Sequence, residues 1–169
     1  DGGAWPHVLP SDHCGGHYGA RGNNLFLIGV LLAGLKDHHE ATGDPAVAKS
    51  LISGARWVLK SWDEEAKGWP YSASTSGEPY YENVSPSLNM LIIDSLAYVG
   101  KLTGDEEFLD VTEKAFAAVA QSNPPSDGKS VSQKIFFATG VMASLQQWFA
   151  EHRDDEGIGV LDGTRSRGP

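Results

Sequence analysis

The feature that most constrains the fold is a two-helix pattern that occurs twice in the chain. Leu25 to Leu35 and Leu88 to Leu102 are apolar on nearly every side, which predicts helices that are buried all round. The segments that follow have apolar residues mainly at three- and four-residue spacing, which is typical of helices with one buried face. Thr-Gly-Asp joins the helices of each pair, at residues 42–44 and 103–105. Its glycine can end one helix and its aspartate can cap the next, so the pattern predicts helical hairpins.

A fifth apolar segment predicts the first helix of a third hairpin, after which no second helix follows. No stretch alternates with a period of two, so the predicted fold class is all-α, with about two and a half repeated helical hairpins. The predicted domain is residues 1–152, followed by a flexible tail at 153–169. Leu31, Ile92 and Phe137 are expected to be buried on inner helices. The predicted helices are 24–41, 45–62, 86–102, 105–121 and 131–151.

Two stretches, "LKDHHEATGDPAVAKSLISGARWVLKSW" and "LAYVGKLTGDEEFLDVTEKAFAAVAQS", carry a family resemblance. Together with their surroundings, roughly residues 23–152, they resemble the α/α-toroid, or six-hairpin, carbohydrate-active proteins: polysaccharide lyases, glycoside hydrolases and some uronyl epimerases. The resemblance implies a partial toroid with inner and outer helices, and long loops that form a sugar-binding cleft at one end. It also implies a poly- or oligosaccharide partner, no cofactor, and a secreted or periplasmic location.

The short length of the array and the net charge limit the expected partners. Six hairpins close a toroid, so two and a half are expected to be the C-terminal part of a larger enzyme, or an array that another chain completes. The third hairpin is expected to make this contact through Phe136, Phe137, Trp148 and Phe149. The net charge of −9 argues against nucleic acid and anionic membranes as partners. No apolar run reaches the roughly 18 residues that a membrane span requires.

The segments that precede the inner helices are expected to lie together at one end of the array. Two of them, "SDHCGGHYGARGN" and "KGWPYSASTSGEPYYENVS", hold most of the reactive and stacking side chains. The candidate catalytic residues are His17, Tyr18, Arg21, Tyr81 and Glu82. The candidate substrate-binding residues are His13, Asn24, Trp69, Tyr71, Tyr80 and Asn83.

Two reactions fit a toroid cleft. A β-eliminating lyase needs a group that neutralises a uronate carboxylate, for which Arg21 or Asn24 is a candidate, and an acid and a base. The acid and base would come from His17 and Tyr18 or Tyr81, and this composition favours the lyase. A glycoside hydrolase needs two carboxyl groups, of which Glu82 is the best in the chain, with its partner outside it. A third interpretation is a non-catalytic support or glycan-binding domain.

Several of these features also have a simpler structural interpretation. His13, Cys14 and His17 lack a fourth zinc ligand, and no metal site is predicted. Trp69 is either a platform for sugar or a hydrophobic plug beneath its loop. His38 and His39 are expected to interact with the negative end of the first helix, and Asp63 to Glu65 to form a solvated acidic patch.

Overall fold

The computed structural model describes residues 2–9, 19–84, 86–122 and 128–152. The predicted tail at 153–169 lies outside the described residues. Within them the chain forms five helices and four strands. In chain order these are β1 (His7–Val8), β2 (Arg21–Asn24), α1 (Leu25–Thr42), α2 (Pro45–Leu59), β3 (Pro70–Ser74), β4 (Pro79–Val84), α3 (Pro86–Thr103), α4 (Glu106–Gln121) and α5 (Gly128–His152).

The predicted all-α fold class is wrong, because an antiparallel sheet accompanies the helices. Its described strands follow the order β1-β2-β3-β4. Asn23 of β2 pairs with Ala73 of β3, and Ser72 of β3 pairs with Tyr81 of β4. The strands come from the two long segments that precede α1 and α3, which were predicted to be loops. The fold is therefore a mixture of helical hairpins and a small sheet.

The helices themselves lie within a few residues of their predicted positions. α3 packs between α1 and α5, while α2 contacts α1 and α4 packs on α3. Ile92 of α3 is fully buried, as predicted, and Phe137 of α5 is half-buried. The prediction for Leu31 is wrong: it is 39% exposed, because it lies on the side of α1 that faces away from α3 and α2.

The two Thr-Gly-Asp joints have the predicted geometry. Gly43 and Gly104 adopt left-handed backbone conformations, with φ values of 66° and 70°. Asp44 accepts a hydrogen bond from the Ala46 amide at 2.8 Å, and Asp105 accepts one from the Glu107 amide at 3.0 Å. Each aspartate therefore satisfies an amide that the first turn of a helix leaves unpaired.

The β3–β4 hairpin is attached to the end of α2. Trp57 donates its indole hydrogen to the Thr75 carbonyl oxygen at 2.9 Å, and the Ser61 hydroxyl donates to the Gly77 carbonyl oxygen at 2.9 Å. Trp69 in turn donates to the Val58 carbonyl oxygen at 3.1 Å. These bonds fix the sheet relative to the helices. They therefore position the end of the molecule at which α1 and α3 begin.

Among the described residues, no helix combines the length and the apolar character that crossing a membrane would require.

Candidate functional site

The pairing of β2 with β3 brings the two residue-rich segments to the same end of the molecule. Gly22 pairs with Ser74 and Asn24 pairs with Ser72, in antiparallel register. β2 leads directly into α1, and β4 is followed by α3, so both segments lie where two inner helices begin. The described parts of the two segments, from Gly19 onwards in the first, therefore lie together as expected.

Residues 11–18 of the first segment lie outside the described residues, and these include His13, Cys14, His17 and Tyr18. The described residues on either side of this segment are hydrogen bonded to each other. The Gly19 amide donates to the Leu9 carbonyl oxygen at 3.2 Å, and the Leu9 amide donates to the Ala20 carbonyl oxygen at 2.9 Å. Leu9 is therefore joined to Gly19 and Ala20 beside the start of β2.

Arg21 is the exposed first residue of β2. Its carbonyl oxygen accepts a hydrogen bond from the Tyr80 hydroxyl at 3.2 Å, which links β4 to β2 across β3. Gly22 makes this link possible, because a Cβ atom there would approach the Tyr80 ring to 2.9 Å and would overlap the Ala73 carbonyl group. The guanidinium of Arg21 thus projects from a strand whose position Tyr80 helps to fix.

Asn24 lies at the N-cap position of α1 and is only 4% exposed. Its side chain makes no capping hydrogen bond, and its Oδ1 atom has no hydrogen-bond partner among the described residues. Ser72, which pairs with it in β3, is fully buried, and its hydroxyl is also unpaired within the described chain. At the buried start of α1, the Asn24 side-chain carbonyl oxygen and the Ser72 hydroxyl can therefore each form a further hydrogen bond.

Asn23 was not predicted as a site residue, but it is the clearest polar anomaly of this region. Its side chain is fully buried, and neither Nδ2 nor Oδ1 has a partner among the residues that the structure describes. Buried amides in folded proteins are nearly always hydrogen bonded, so an unpaired one requires an explanation. The signal in the sequence was the Asn-Asn pair directly before an apolar helix.

The predicted aromatic side chains have different environments. Trp69 is 1% exposed and packs against Trp62, with ring centroids 4.8 Å apart, so it fits the plug interpretation and not the platform. Tyr71 is half-buried and packs on Phe26 at the start of α1, at a centroid distance of 5.2 Å. Tyr71 and Tyr80 therefore remain accessible in part beside β2, whereas Trp69 belongs to the core.

The remaining predicted residues lie in β4. Tyr81 and Glu82 are residues of β4, and the backbone of Tyr81 pairs with Ser72 of β3. Asn83 is exposed on the same strand. The sheet thus places the β4 residues two strands away from Arg21 and Asn24.

His39 lies in the last turn of α1, and the acidic patch after α2, residues 63–65, is exposed as predicted. His39 shares a hydrogen bond with the hydroxyl of Tyr98 at 2.7 Å, so it ties α1 to α3 near the end of α1. Asp63 accepts hydrogen bonds from the amides of Glu65 and Ala66, both at 2.9 Å. In the described ranges no group of three or more His, Cys, Asp or Glu side chains could hold a metal ion.

Comparisons of this chain with protein-family models, with curated proteins and with solved structures found no match.

Proposed function

We propose that this chain forms part of a polysaccharide-degrading enzyme that cleaves a uronate-containing glycan by β-elimination. The observation that carries the proposal is the buried side-chain amide of Asn23, whose Nδ2 donor has no hydrogen-bond partner among the described residues and lies in β2 directly before Asn24 and α1. Arg21 supplies a cation on the same strand, three residues before Asn24. A helix start attracts anions, because its free amides and the helix dipole both favour negative charge.

A carboxylate held at this position would serve the chemistry of elimination. A base removes the proton on the carbon next to the uronate carboxylate. The electron pair then forms a carbon–carbon double bond while the bond to the glycosidic oxygen breaks, and that oxygen takes a proton from an acid. The negative charge that develops on the carboxylate is stabilised by the donors around it. In this proposal Arg21 or Asn24 neutralises the carboxylate.

The proton carriers are proposed from the two segments that the β2–β3 pairing joins. His17 and Tyr18 precede Gly19 in the sequence, and Tyr81 belongs to β4. A neighbouring arginine favours the ionised form of a tyrosine, which would help Tyr18 or Tyr81 to act as the base. Tyr71, Tyr80, Asn83 and His13 are proposed to contact the sugar.

The test is to incubate the intact natural protein with polygalacturonate, alginate and chondroitin, and with neutral polysaccharides. Elimination yields products whose new double bond absorbs ultraviolet light, whereas hydrolysis yields new reducing ends without that absorbance. Arg21→Gln is expected to lower elimination about 10²-fold, by analogy with the removal of one charge-stabilising donor from other enzymes. Lys49→Gln, which changes an exposed cation on α2, is the matched control and should leave the rate unchanged.

Each other outcome has a definite meaning. Reducing ends without ultraviolet absorbance would replace elimination by hydrolysis, with Glu82 as the proposed acid. If the three single variants His17→Ala, Tyr81→Phe and Arg21→Gln all cleave at the wild-type rate, these residues do not form the reaction centre. No cleavage of any polysaccharide would favour the support or glycan-binding interpretation.

A further inference from the structure

A second concave region lies beside the β3–β4 hairpin and shares no residue with the proposed reaction centre. It is a cleft of about 350 Å³ between the segment after α2, residues 60–64, and the hairpin. Clefts of this size are in the range that small ligands occupy. The residues that matter for its chemistry are Trp62, Asp63, Glu78 and Lys60.

The two walls of the cleft are attached to each other. The buried hydrogen bond from the Ser61 hydroxyl to the Gly77 carbonyl oxygen joins the α2 side to the hairpin tip. The bond from Trp57 to the Thr75 carbonyl oxygen lies close to it. The cleft is therefore preformed, and a ligand would not have to order its walls.

Trp62 provides an aromatic wall whose orientation is fixed. It is half-buried, and its ring packs against Trp69 at an interplanar angle of 60°. Its indole nitrogen donates to Glu64 Oε2 at 2.7 Å. Hydrogen bonds from Lys67, Trp62 and Lys114 lower the pKa of Glu64 to about 2. This carboxylate therefore stays ionised and continues to accept the hydrogen bond from the indole.

The polar groups of the cleft are mainly acceptors. Glu64 is already paired with Lys67 and Lys114. Asp63 uses Oδ1 for two backbone amides, and Glu78 is exposed at the hairpin tip. Among the described residues that line the cleft, these two carboxylates outnumber the remaining cation, Lys60, so an anionic ligand is disfavoured there.

An indole beside two carboxylates that can accept further hydrogen bonds, Asp63 through Oδ2 and Glu78, matches the surface of an uncharged sugar ring. The ring presents an apolar face of C–H groups, which packs on an aromatic face, and hydroxyl groups at its edge, which donate to carboxylates. Quaternary ammonium ligands are typically bound in a cage of several aromatic rings, whereas the described lining of this cleft contains the one indole of Trp62. We propose that this cleft binds one or two residues of a neutral saccharide, independently of the elimination reaction.

The test measures binding by the intact natural protein. The probes are cellotetraose, xylotetraose, mannotetraose and β-1,4-galactotetraose, followed by tryptophan fluorescence and calorimetry, with trigalacturonate and tetramethylammonium for comparison. At least one neutral tetrasaccharide is expected to bind, and trigalacturonate is not expected to bind through Trp62. Trp62→Ala should weaken neutral binding about tenfold or more, the equivalent of one good aromatic contact.

Further variants keep the test decisive if Trp62→Ala does not fold. Asp63→Asn retains the oxygen that accepts from Glu65 and Ala66, and Glu78→Gln changes an exposed side chain, so both should fold and bind neutral sugar less tightly. Glu113→Gln, an exposed carboxylate on α4, is the matched control and should bind like the wild type.

Three results would overturn the proposal: no binding of any neutral probe, unchanged binding in Asp63→Asn and Glu78→Gln, or tighter binding of trigalacturonate or tetramethylammonium in this cleft. These three results do not test elimination. Elimination is tested separately, by the ultraviolet absorbance of the products formed by the wild type and by Arg21→Gln. Conversely, loss of neutral binding in Glu78→Gln with full elimination activity would support two separate sites.

Discussion

At the scale of single residues, Asp94 joins all three inner helices. Its carboxylate accepts a hydrogen bond from Lys36 Nζ of α1 at 2.8 Å. Gly140 of α5 lies against the same carboxylate, so closely that a Cβ atom there would overlap Asp94 Oδ1. The packing of α5 on α3 therefore depends on the absence of a side chain at residue 140.

Alanine substitutions at two helical glycines should have opposite effects on stability. Gly140→Ala should destabilise the protein by about 1–2 kcal/mol, because the new methyl group must displace Asp94. Gly34→Ala should stabilise it by about 0.5–1 kcal/mol, since a Cβ there meets no atom within 4 Å and alanine favours the helix. Urea unfolding of both variants measures the difference. A stabilised Gly140→Ala would show that α5 does not approach Asp94 closely.

The Lys36–Asp94 pair should make the free energy of unfolding depend on pH in the alkaline range. Burial lowers the pKa of Lys36, but the hydrogen bond and charge of Asp94 raise it more, with smaller contributions from Glu40 and Asp37, so the net shift is upward. A raised folded-state pKa means that the stabilisation is complete below the unfolded lysine value of about 10.4 and is lost as pH rises through the higher folded value.

Asp94→Asn should therefore cost about 1.5–3 kcal/mol at neutral pH, the usual range for a hydrogen bond to a charged group. The difference from wild type should shrink above the unfolded pKa, as measured by urea unfolding from neutral to strongly alkaline pH. Asp37→Asn is the control, because Asp37 is mostly exposed and lies 3.8 Å from the same lysine. A difference that stays constant with pH would contradict the assignment.

At the scale of elements, the two helix caps are similar in sequence but unequal in their contacts. Asp44 and Asp105 both cap a helix, but Asp105 also forms an ion pair with Arg56 of α2. Arg56 pairs with Glu107 as well, at 3.2 Å, and its guanidinium lies over the Phe108 ring at 4.6 Å. The cap of α4 thus connects the second hairpin to the first.

Removal of each cap should reveal this difference. Asp44→Ala should destabilise the protein by about 1 kcal/mol, the usual cost of losing a cap, and Asp105→Ala should cost more. The hydrogen bond from the Glu107 amide, together with Arg56, lowers the pKa of Asp105 despite its burial. Its contribution is therefore present above the unfolded aspartate pKa and is lost as pH falls through the lower folded value. Thermal unfolding at neutral and acidic pH measures this, and equal losses in both variants would contradict it.

The helices could be predicted from sequence, but the strands could not, for a physical reason. Each helix repeats its apolar contacts every three or four residues over several turns, so its pattern is local and long. β2 is the four-residue sequence RGNN, and β3 is PYSAS. Neither alternates apolar and polar residues, because what buries them is pairing with a segment far away in the chain. Short strands of this kind are specified by tertiary contacts and not by their own period.

The location of the candidate site could be predicted from the sequence, but the environment of its individual residues could not. The repeat correctly places the described parts of the two segments at one end, since each segment precedes an inner helix. The burial of Trp69 and the unpaired amide of Asn23 could not be predicted, because both depend on how the sheet packs against α1 and α2. The cleft beside Trp62 depends on the tip of the β3–β4 hairpin, a segment whose sequence pattern predicts a loop.

At the scale of the whole molecule, the row of inner helices has an apolar surface at each end. On α5, Phe136 is 73% exposed beside Ile135, while Phe137, Trp148 and Phe149 pack partly against the core. On α1, Leu27, Val30 and Leu31 are exposed. Exposed apolar surfaces of this kind are often interaction sites. Contact of the third hairpin with another chain, or with another part of the same protein, stays a prediction.

The 169-residue chain produced by itself is expected to self-associate through these surfaces. Replacing Ile135 and Phe136 together by Gln should reduce the association measured by analytical ultracentrifugation. The free energy of unfolding should change by less than about 0.5 kcal/mol per exposed site. Leu102→Gln, at an exposed apolar position near the end of α3, is the control and should not alter association. A monomer at every concentration tested would contradict the prediction.

The register of β2 with β3 has a consequence for the order in which the protein folds. Gly22 and Ser74 pair across the entire α1–α2 hairpin, so their strands cannot meet until that hairpin has brought its ends together. Closing so long a loop loses chain entropy before any pairing compensates for it, and contacts distant in sequence therefore form slowly. The helical hairpins should thus become native first, and the sheet that holds Arg21 and Asn24 should follow. In a refolding experiment the helical signal should recover before protection of the β2 and β3 amides from hydrogen exchange, so that the part of the chain proposed to act on substrate matures last.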